Sequence, residues 1–204
     1  MHSKFVTIVP ERRETFIFPL HTVLFPDGVL PLQIFEQRYI EMTKICLRDE
    51  RPFGVCQIRE GREVGAPALP EAIGCFATIT QWDMPQLGLF HLMVRGSERF
   101  RIIETQVAAN GLISGQVEVL APESGPAEVD QACSEVLRLV IEKVGTANFS
   151  APIKLDDPAW VAYRLAEILR IDAAVKQQLL ELQDVEARFY LLRRIMTEQG
   201  LISH

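Results

Sequence analysis

The segment FPLHTVLFPDGVLPLQIFEQRYIEM, from Phe18 to Met42, decides the fold. It is largely apolar and carries three prolines, Pro19, Pro26 and Pro31. Each proline fixes its own φ angle and keeps the residue before it out of the helical region, which is typical of a chain that winds around a barrel. We expect eight apolar side chains of this segment to fill the barrel core: Phe18, Leu20, Val23, Leu24, Leu30, Leu32, Ile34 and Phe35.

One helix is predicted within this part of the chain, over about residues 34–49. Phe35, Tyr39, Met42 and Cys46 fall on one stripe of such a helix, because they follow each other at spacings of three and four. An apolar stripe of this kind indicates a helix that packs on the barrel.

Short β-branched or aromatic segments, separated by Gly and Pro, make up most of the first 120 residues. The predicted strands are residues 5–9, 15–18, 53–58, 75–82, 88–95, 100–105 and 112–120. In residues 75–82, alternation places Thr78, Thr80 and Trp82 on one face and the apolar Cys75 and Ile79 on the other. Seven short strands with one inserted helix predict a closed or nearly closed small barrel.

The character of the sequence changes at residues 121–126, APESGP, which mark our predicted boundary between domains of residues 1–120 and 121–204. Beyond it, apolar residues recur at helical spacing and predict four amphipathic helices, which together form a small bundle. The first is expected over residues 127–144, and Asp157, Asp172 and Asp184 are placed to cap the other three. The expected core stripe of the first helix is Val129, Cys133, Val136, Val140 and Val144.

Six further segments, in the same order and spacing as a known family, extend the pattern of residues 18–42 along the chain. They are FGVCQI (53–58), EGREVG (60–65), IGCFATI (73–79), VRGSERFRI (94–102), DDPAWVAYRLAEIL (156–169) and KQQLLELQDVEARFYLLRRIM (176–196). Together these matches closely resemble the N-terminal, substrate-binding domain of Lon proteases. One departure is Asp27, since the family commonly has glycine directly after VLFP and this chain has it one place later, at Gly28.

The resemblance implies an α+β fold: a PUA-like β pseudo-barrel with one inserted helix, followed by a C-terminal α-helical bundle. In full-length Lon this region helps to capture unfolded or tagged polypeptides for an attached AAA+ motor and a Ser–Lys protease. The present sequence contains neither module. We therefore expect a stand-alone, non-catalytic module that binds unfolded or flexible polypeptides, by burying their apolar side chains or by strand addition at an open barrel edge. A protease or a chaperone is a further candidate partner.

Composition narrows the class of protein. The 21 basic and 27 acidic side chains give a net charge of −6, and neither predicted domain is basic, which argues against a nucleic-acid binder. No apolar run approaches the ~20 residues that a membrane span requires, and the N-terminus does not resemble a signal peptide. We expect a cytoplasmic protein without membrane contact. The sequence does not indicate an oligomeric state.

Motifs for catalysis are absent from the sequence. It contains no GxxxxGK[ST], GxGxxG, GxSxG or HExxH, and its four cysteines form no CxxC pair. The adjacent carboxylates Asp156 and Asp157 are explained by a helix cap. We predict no catalytic residue, no cofactor and no metal site. Two alternatives stay open: an RNA-binding PUA-like module, for which Arg95, Arg99 and Arg101 are the basic cluster, and an enzyme with an unrecognised site.

The hairpin tip at residues 81–89, QWDMPQLGL, is the sharpest candidate for a binding site. Alternation predicts Trp82 on the solvent side, and Met84 and Leu87 fall in the turn, where polar residues are expected. Exposed apolar side chains of this kind mark interaction surfaces, so we predict Trp82, Met84 and Leu87 as polypeptide-contacting residues. Four charged residues are expected instead to tie the helix to the barrel through hydrogen-bonded pairs: Glu36, Arg38, Glu98 and Arg99.

Overall fold

A computed structural model describes residues 10–123, 128–149 and 151–203. The strands are β1 (Arg12–Leu20), β2 (Val29–Ile34), β3 (Phe53–Glu60), β4 (Leu69–Gln86), β5 (Leu89–Val107) and β6 (Ile113–Val119). The helices are α1 (Gln37–Arg48), α2 (Gln131–Val144), α3 (Pro158–Ile168), α4 (Ala173–Glu181) and α5 (Val185–Glu198), with a 3₁₀ turn at Thr146–Asn148. The fold is therefore α+β, with a six-stranded sheet followed by helices. The predicted strand at residues 5–9 lies outside the described residues.

Five of the six strands form a closed ring. The sheet order is β2-β5-β4-β3-β1-β6, and β6 pairs in addition with β5. The ring therefore consists of β5, β4, β3, β1 and β6. β1 and β3 run parallel, and the other pairs are antiparallel. β2 is added outside the ring, against the first half of β5. The ring confirms the expectation of a closed small barrel.

Two strands differ from the sequence prediction. The segments 88–95 and 100–105 belong to one strand, β5, because the chain passes through Gly96 and Ser97 without leaving the sheet. The sequence also gave no indication of β2, since Pro31 within it lacks the N–H that a central strand needs. β2 tolerates this proline because it stands at the edge of the sheet.

The buried stripe of α1 matches the prediction except at its start. Tyr39, Met42 and Cys46 are buried, as expected. The helix begins at Gln37, however, so Phe35 lies before it and its side chain is 56% exposed. The prediction that Phe35 fills the core was therefore wrong, and Leu30 is only partly buried. The other six predicted core residues of this segment are buried: Phe18, Leu20, Val23, Leu24, Leu32 and Ile34.

α2 is shorter than predicted and turned about its axis. It begins at Gln131, and the side chain of Asp130 caps it by accepting from the N–H of Cys133. Its buried residues are Cys133, Leu137 and Ile141, so the predicted stripe was right at Cys133 and wrong at Val144, which is 48% exposed. Val129 and Val136 are partly buried against the core. The reason is that α2 buries the neighbouring face, which carries Leu137 and Ile141, each one position after a residue of the predicted stripe. That face is as apolar as the predicted one.

The remaining helices agree better with the sequence. Asp157 and Asp184 accept backbone N–H groups at the starts of α3 and α5, as predicted, whereas the Asp172 side chain makes no such bond before α4. The helical part shares its apolar core with the barrel: Phe25 is fully buried in the same cluster as the apolar side chains of the helices, and its ring lies 5.4 Å from that of Tyr163 on α3. The barrel and the helices are therefore joined by a continuous hydrophobic contact.

Candidate functional site

A groove of about 340 Å³ runs beside β2, and we call it the edge groove. β2 forms one wall, while the end of β1, the start of α1 and the loop after β3 form the others. The side chains of Phe35 and Val64 stand at the groove, 56% and 55% exposed. Exposed apolar side chains at the mouth of a groove with apolar walls are typical of a site that takes up an apolar group.

Two glutamates give the edge groove an acidic rim and also hold its walls. Glu36 pairs with the buried Arg38 at 3.1 Å, and Arg38 in turn donates to the carbonyl of Gly111 at 3.2 Å. Glu63 accepts from the N–H of His21 at 2.6 Å. The predicted role of Glu36 and Arg38, tying the helix to the barrel, is thus seen in the structure.

The free edge of β2 is poorly suited to strand addition. Gly96 donates its N–H to the carbonyl of Gly28, so by the alternation of an antiparallel ladder Leu30 also faces β5, whereas Pro31 and Gln33 turn their backbone groups outward. Pro31 has no N–H to offer at the middle of this edge. A proline placed there blocks continuous pairing with another strand. Side-chain burial is therefore the better-supported route for a ligand.

A second groove of about 560 Å³ lies on the other side of β2, under the β4–β5 hairpin, and we call it the hairpin groove. It shares Pro31, Leu32 and Gln33 with the edge groove, and the hairpin contributes Trp82 and Met93. The two grooves therefore flank one strand and form a continuous surface around it.

The structure places the three predicted contact residues on this hairpin. Trp82 is 56% exposed, Met84 is exposed, and Leu87 at the turn is 95% exposed. Gly88 follows Leu87 with φ 85°, a left-handed conformation that glycine adopts without strain. Trp82 lines the hairpin groove, whereas Met84 and Leu87 lie beyond it toward the tip.

Strand alternation, which predicted that Trp82 is exposed on the face of Thr78 and Thr80, is not the reason for its exposure. The pairing of β4 with β5 shifts register between Ile79 and Gln81, and this irregularity moves Trp82 to the face of Ile79. Trp82 stands opposite the buried Leu92, and its ring lies 5.9 Å from that of Phe90. It is 56% exposed in the part of the hairpin that extends past the first residue of β3, which pairs with Ala77.

The edge groove was not predicted from the sequence because its parts are far apart in the chain. Phe35 was assigned to the core, and Val64 was not among the predicted contact residues. The sequence feature that could have indicated the groove is Val64, an isolated valine within the polar stretch EGREVG. A valine in such a stretch is unlike a core residue.

The arginines considered for RNA binding do not form one surface. Arg95 pairs with Asp27 at 2.6 Å, and Arg99 is buried against the helical part. Arg101 alone of the three is exposed. Since a nucleic-acid backbone requires a continuous basic surface, this cluster does not support RNA binding.

Arg99 belongs instead to a buried network between barrel and helices. Its guanidinium pairs with Glu123 at 2.9 Å and donates to the carbonyls of Leu180 and Leu182 and to the Gln183 side chain, at 2.7–3.0 Å. Glu98, the neighbour of Arg99, points the other way and pairs with Arg13. Neither residue ties α1 to the barrel: Glu98 links β5 to β1 within the barrel, and Arg99 joins β5 to the α4–α5 connection.

A second buried arginine completes the network around Glu123. Arg188 on α5 lies 3.8 Å from the Glu123 carboxylate, donates to the Leu179 carbonyl at 2.8 Å and stacks on the Tyr163 ring. Tyr163 also donates its hydroxyl to Glu123. Burial lowers the pKa of Arg188 to about 10, which shows how strongly this environment disfavours an unpaired charge.

The described residues show no arrangement for metal binding: no three His, Cys, Asp or Glu side chains converge. The four cysteines are buried and unpaired, as predicted, and burial raises the pKa of the Cys46 thiol to about 11. Such thiols are poor nucleophiles at neutral pH. Within the same residues, the helices are too short or too polar to cross a membrane.

Comparison with known proteins agrees with this architecture. The family model described as the ATP-dependent protease La (LON) substrate-binding domain matches residues 14–198. Lon protease of Anaeromyxobacter dehalogenans and Lon protease 2 of Myxococcus xanthus are each 27% identical over 195 residues, which are 90% of this chain. The chain spans only about a quarter (23%) of the length of these relatives.

Two solved structures resemble the chain over most of its length. A Lon N-terminal domain protein from Xanthomonas campestris is 32% identical, with a TM-score of 0.73 over 89% of this chain and 98% of that one. The N-terminal domain of the Mycobacterium avium complex Lon protease is 19% identical, with a TM-score of 0.64 over 92% of this chain, and shows the shared fold.

Proposed function

Because the chain belongs to the Lon substrate-binding domain family, we propose that it recognises unfolded or flexible polypeptides, without catalysis, by burying their apolar side chains in the edge groove and the hairpin groove. The observation that carries this proposal is the edge groove itself, with Phe35 and Val64 exposed at its mouth. A protein that keeps such side chains in water without a function exposes itself to aggregation.

The two grooves fit a ligand that is extended and variable in sequence. They are open, lie on both sides of β2 and offer mainly apolar walls, so successive apolar side chains of one segment can enter either groove. The acidic rim at Glu36 and Glu63 favours segments in which basic residues adjoin apolar ones. Trp82, Met84 and Leu87 extend the apolar surface along the hairpin.

The wider setting is part of the same proposal. A protease or a chaperone that receives the bound polypeptide is the candidate partner, and the cytoplasm is the proposed location. The structural proposal is a PUA-like pseudo-barrel over residues 1–120 and a helical bundle over residues 121–204, with the grooves on the barrel. The closed strand ring and the helical core support this division.

Binding can be tested with a labelled polypeptide that is permanently unfolded, and with its folded counterpart as control. Fluorescence anisotropy should show saturable binding of the unfolded form alone. Absence of binding at high protein concentration would contradict the proposal and leave the family relationship as one of fold.

Replacing Phe35 with serine should weaken binding of the unfolded polypeptide by about five- to tenfold, since the loss of one apolar anchor costs about 1–1.4 kcal/mol. The melting temperature should change little, because Phe35 is more than half exposed. Tyr190→Ser is the matched control, since Tyr190 is an exposed aromatic residue on α5, away from both grooves.

Trp82→Ala should weaken the same binding while the thermal stability stays nearly constant. More than half of its side chain is exposed, so little packing is lost. A large fall in melting temperature would instead identify Trp82 as a structural residue of the hairpin and remove it from the site.

A further inference from the structure

A third cavity, of about 500 Å³, lies between α2, α3 and the start of β2, away from both grooves, and we call it the helix cavity. Its volume is in the range of small-molecule sites. Most of its walls are hydrocarbon: Val29, Val140, Val144, Phe149 and Ile168. Val140 and Val144, which the sequence assigned to the core stripe of α2, thus line this cavity instead.

Two charged side chains also line the helix cavity. Arg164 is 99% buried; its Nη2 donates to the Pro26 carbonyl at 2.7 Å and to Glu167 at 2.9 Å. Its Nε, by contrast, is buried without a hydrogen-bond partner among the described residues. A buried guanidinium N–H without an acceptor is costly, and such groups point to an acceptor that arrives with a ligand or water.

The charge balance around Arg164 favours an anion. Asp27 is already paired with Arg95 at 2.6 Å and with Lys154 at 2.8 Å. Lys176 on α4 donates to the Glu167 backbone carbonyl at 2.8 Å. This region therefore holds four cationic side chains and only two carboxylates, those of Asp27 and Glu167, although the net charge of the protein is −6. The cations are Arg95, Lys154, Arg164 and Lys176.

We propose that the helix cavity binds a carboxylate that carries a compact hydrocarbon group, with the carboxylate on Arg164 and the hydrocarbon between α2 and β2. The guanidinium of arginine suits this role because its fork of N–H groups matches the two oxygens of a carboxylate. The valines, Phe149 and Ile168 accept the hydrocarbon. The ligand can be a free organic acid or the C-terminus of a polypeptide with an apolar last residue.

Glu167 competes for the same guanidinium and sets the pH dependence. The Glu167 carboxylate occupies the space that a side chain at position 28 would fill, and Gly28 leaves that space free. The Glu167 side chain is 27% exposed. Burial raises the pKa of Glu167 to about 7, although Arg164 and Lys176 act in the opposite direction and Asp27 adds to the rise. Below pH 7 the carboxyl is protonated and neutral, so it releases Arg164 to an external carboxylate, which stays ionised.

The first measurement is isothermal titration of the intact chain with 4-methylpentanoate at pH 6 and at pH 8. We expect saturable binding that is about tenfold tighter at pH 6, because the protonated fraction of Glu167 differs by that factor between the two values. The uncharged 4-methylpentanamide has the same shape and should bind weakly at both. Equal binding of acid and amide, or no binding of either, would overturn the proposal.

Variants separate the cavity from the rest of the surface. Glu167→Gln should bind the acid at pH 8 as tightly as the wild type does at pH 6, and the pH dependence should disappear. Val144→Trp should fill the cavity mouth and weaken binding at least tenfold, whereas Leu139→Trp, on the exposed side of the same helix, should not. If Val144→Trp has no effect, the acid binds elsewhere and the proposal fails.

Short peptides distinguish the two sources of the carboxylate. A peptide that ends in leucine with a free carboxyl should bind more tightly than 4-methylpentanoate if a chain terminus is the ligand, and its C-terminal amide should not bind. If the small acid binds at least as tightly as the peptide, a free acid is the ligand. The helix cavity and the edge groove share no lining residue, so Phe35→Ser should leave the titration with 4-methylpentanoate unchanged.

Discussion

Arg99→Met is expected to lower the free energy of unfolding by about 3–5 kcal/mol, because it breaks a buried charged network while leaving the partners in place. The guanidinium of Arg99 meets the Leu180 and Leu182 carbonyls, the Gln183 side chain and the Glu123 carboxylate. Methionine fills a similar volume but donates to none of these groups. The Leu180 carbonyl and the Gln183 side chain then lose their bonds to Arg99, and Glu123 keeps only the Tyr163 hydroxyl and the more distant Arg188.

Chemical denaturation with urea measures this change. A protein of this size loses about 2–4 °C in melting temperature for each kcal/mol, so thermal unfolding should shift by about 10 °C as well. Arg101→Met is the matched control: this arginine is exposed on the same strand, and we expect a change within about 0.5 kcal/mol. If Arg99→Met costs less than about 1 kcal/mol, apolar packing replaces the network and Arg99 does not hold the two parts together.

Gly74→Ala is expected to destabilise the barrel by about 3 kcal/mol, through overpacking. A Cβ at this position would lie 2.5 Å from the Val55 carbonyl oxygen and from the Cys56 sulfur, and 2.7 Å from the Phe100 ring. The carbonyl belongs to the ladder between β3 and β4 and cannot retreat without breaking it. The glycine is thus required by the close approach of three neighbours.

A double variant tests this explanation. Phe100→Leu removes part of the ring that faces Gly74, so Gly74→Ala should cost less in that background than in the wild type, as measured by urea denaturation. Ala72→Ser, an exposed change on the same strand, should leave the stability within about 0.5 kcal/mol. Additive effects of Gly74→Ala and Phe100→Leu would show that the two positions do not compete for space.

Local patterns predicted the elements that depend on neighbouring residues. The caps at Asp157 and Asp184 are properties of a single helix end, and they are confirmed. Predictions that depend on which elements pack together were less reliable. The stripe of α2 was right at Cys133 but wrong at Val144, because that helix has apolar residues on two faces and only the position of its neighbours decides which face is buried.

At the candidate site, too, features that depend on neighbouring residues were predicted, and features that depend on distant segments were not. The exposure of Met84 and Leu87 was predicted because apolar residues in a turn stand out in the sequence, whereas Trp82 is exposed for a reason that its alternation did not give. The edge groove was not, since Phe35 and Val64 come from two segments that meet only after β2 has joined the sheet. Phe35 also continues the helical pattern of α1, so the sequence offered no reason to place it outside.

By itself the sequence determined the family, the α+β class, the acidic net charge and the succession of a strand-rich part and a helical part, because these follow from composition, spacing and local hydrogen bonding. The tertiary structure alone decided where surfaces form. It placed β2 at an open edge with Pro31 turned outward, moved Trp82 to the other face through a register shift, and set Arg164 beside an apolar cavity. Burial depends on which distant segments come together, and no local pattern encodes that.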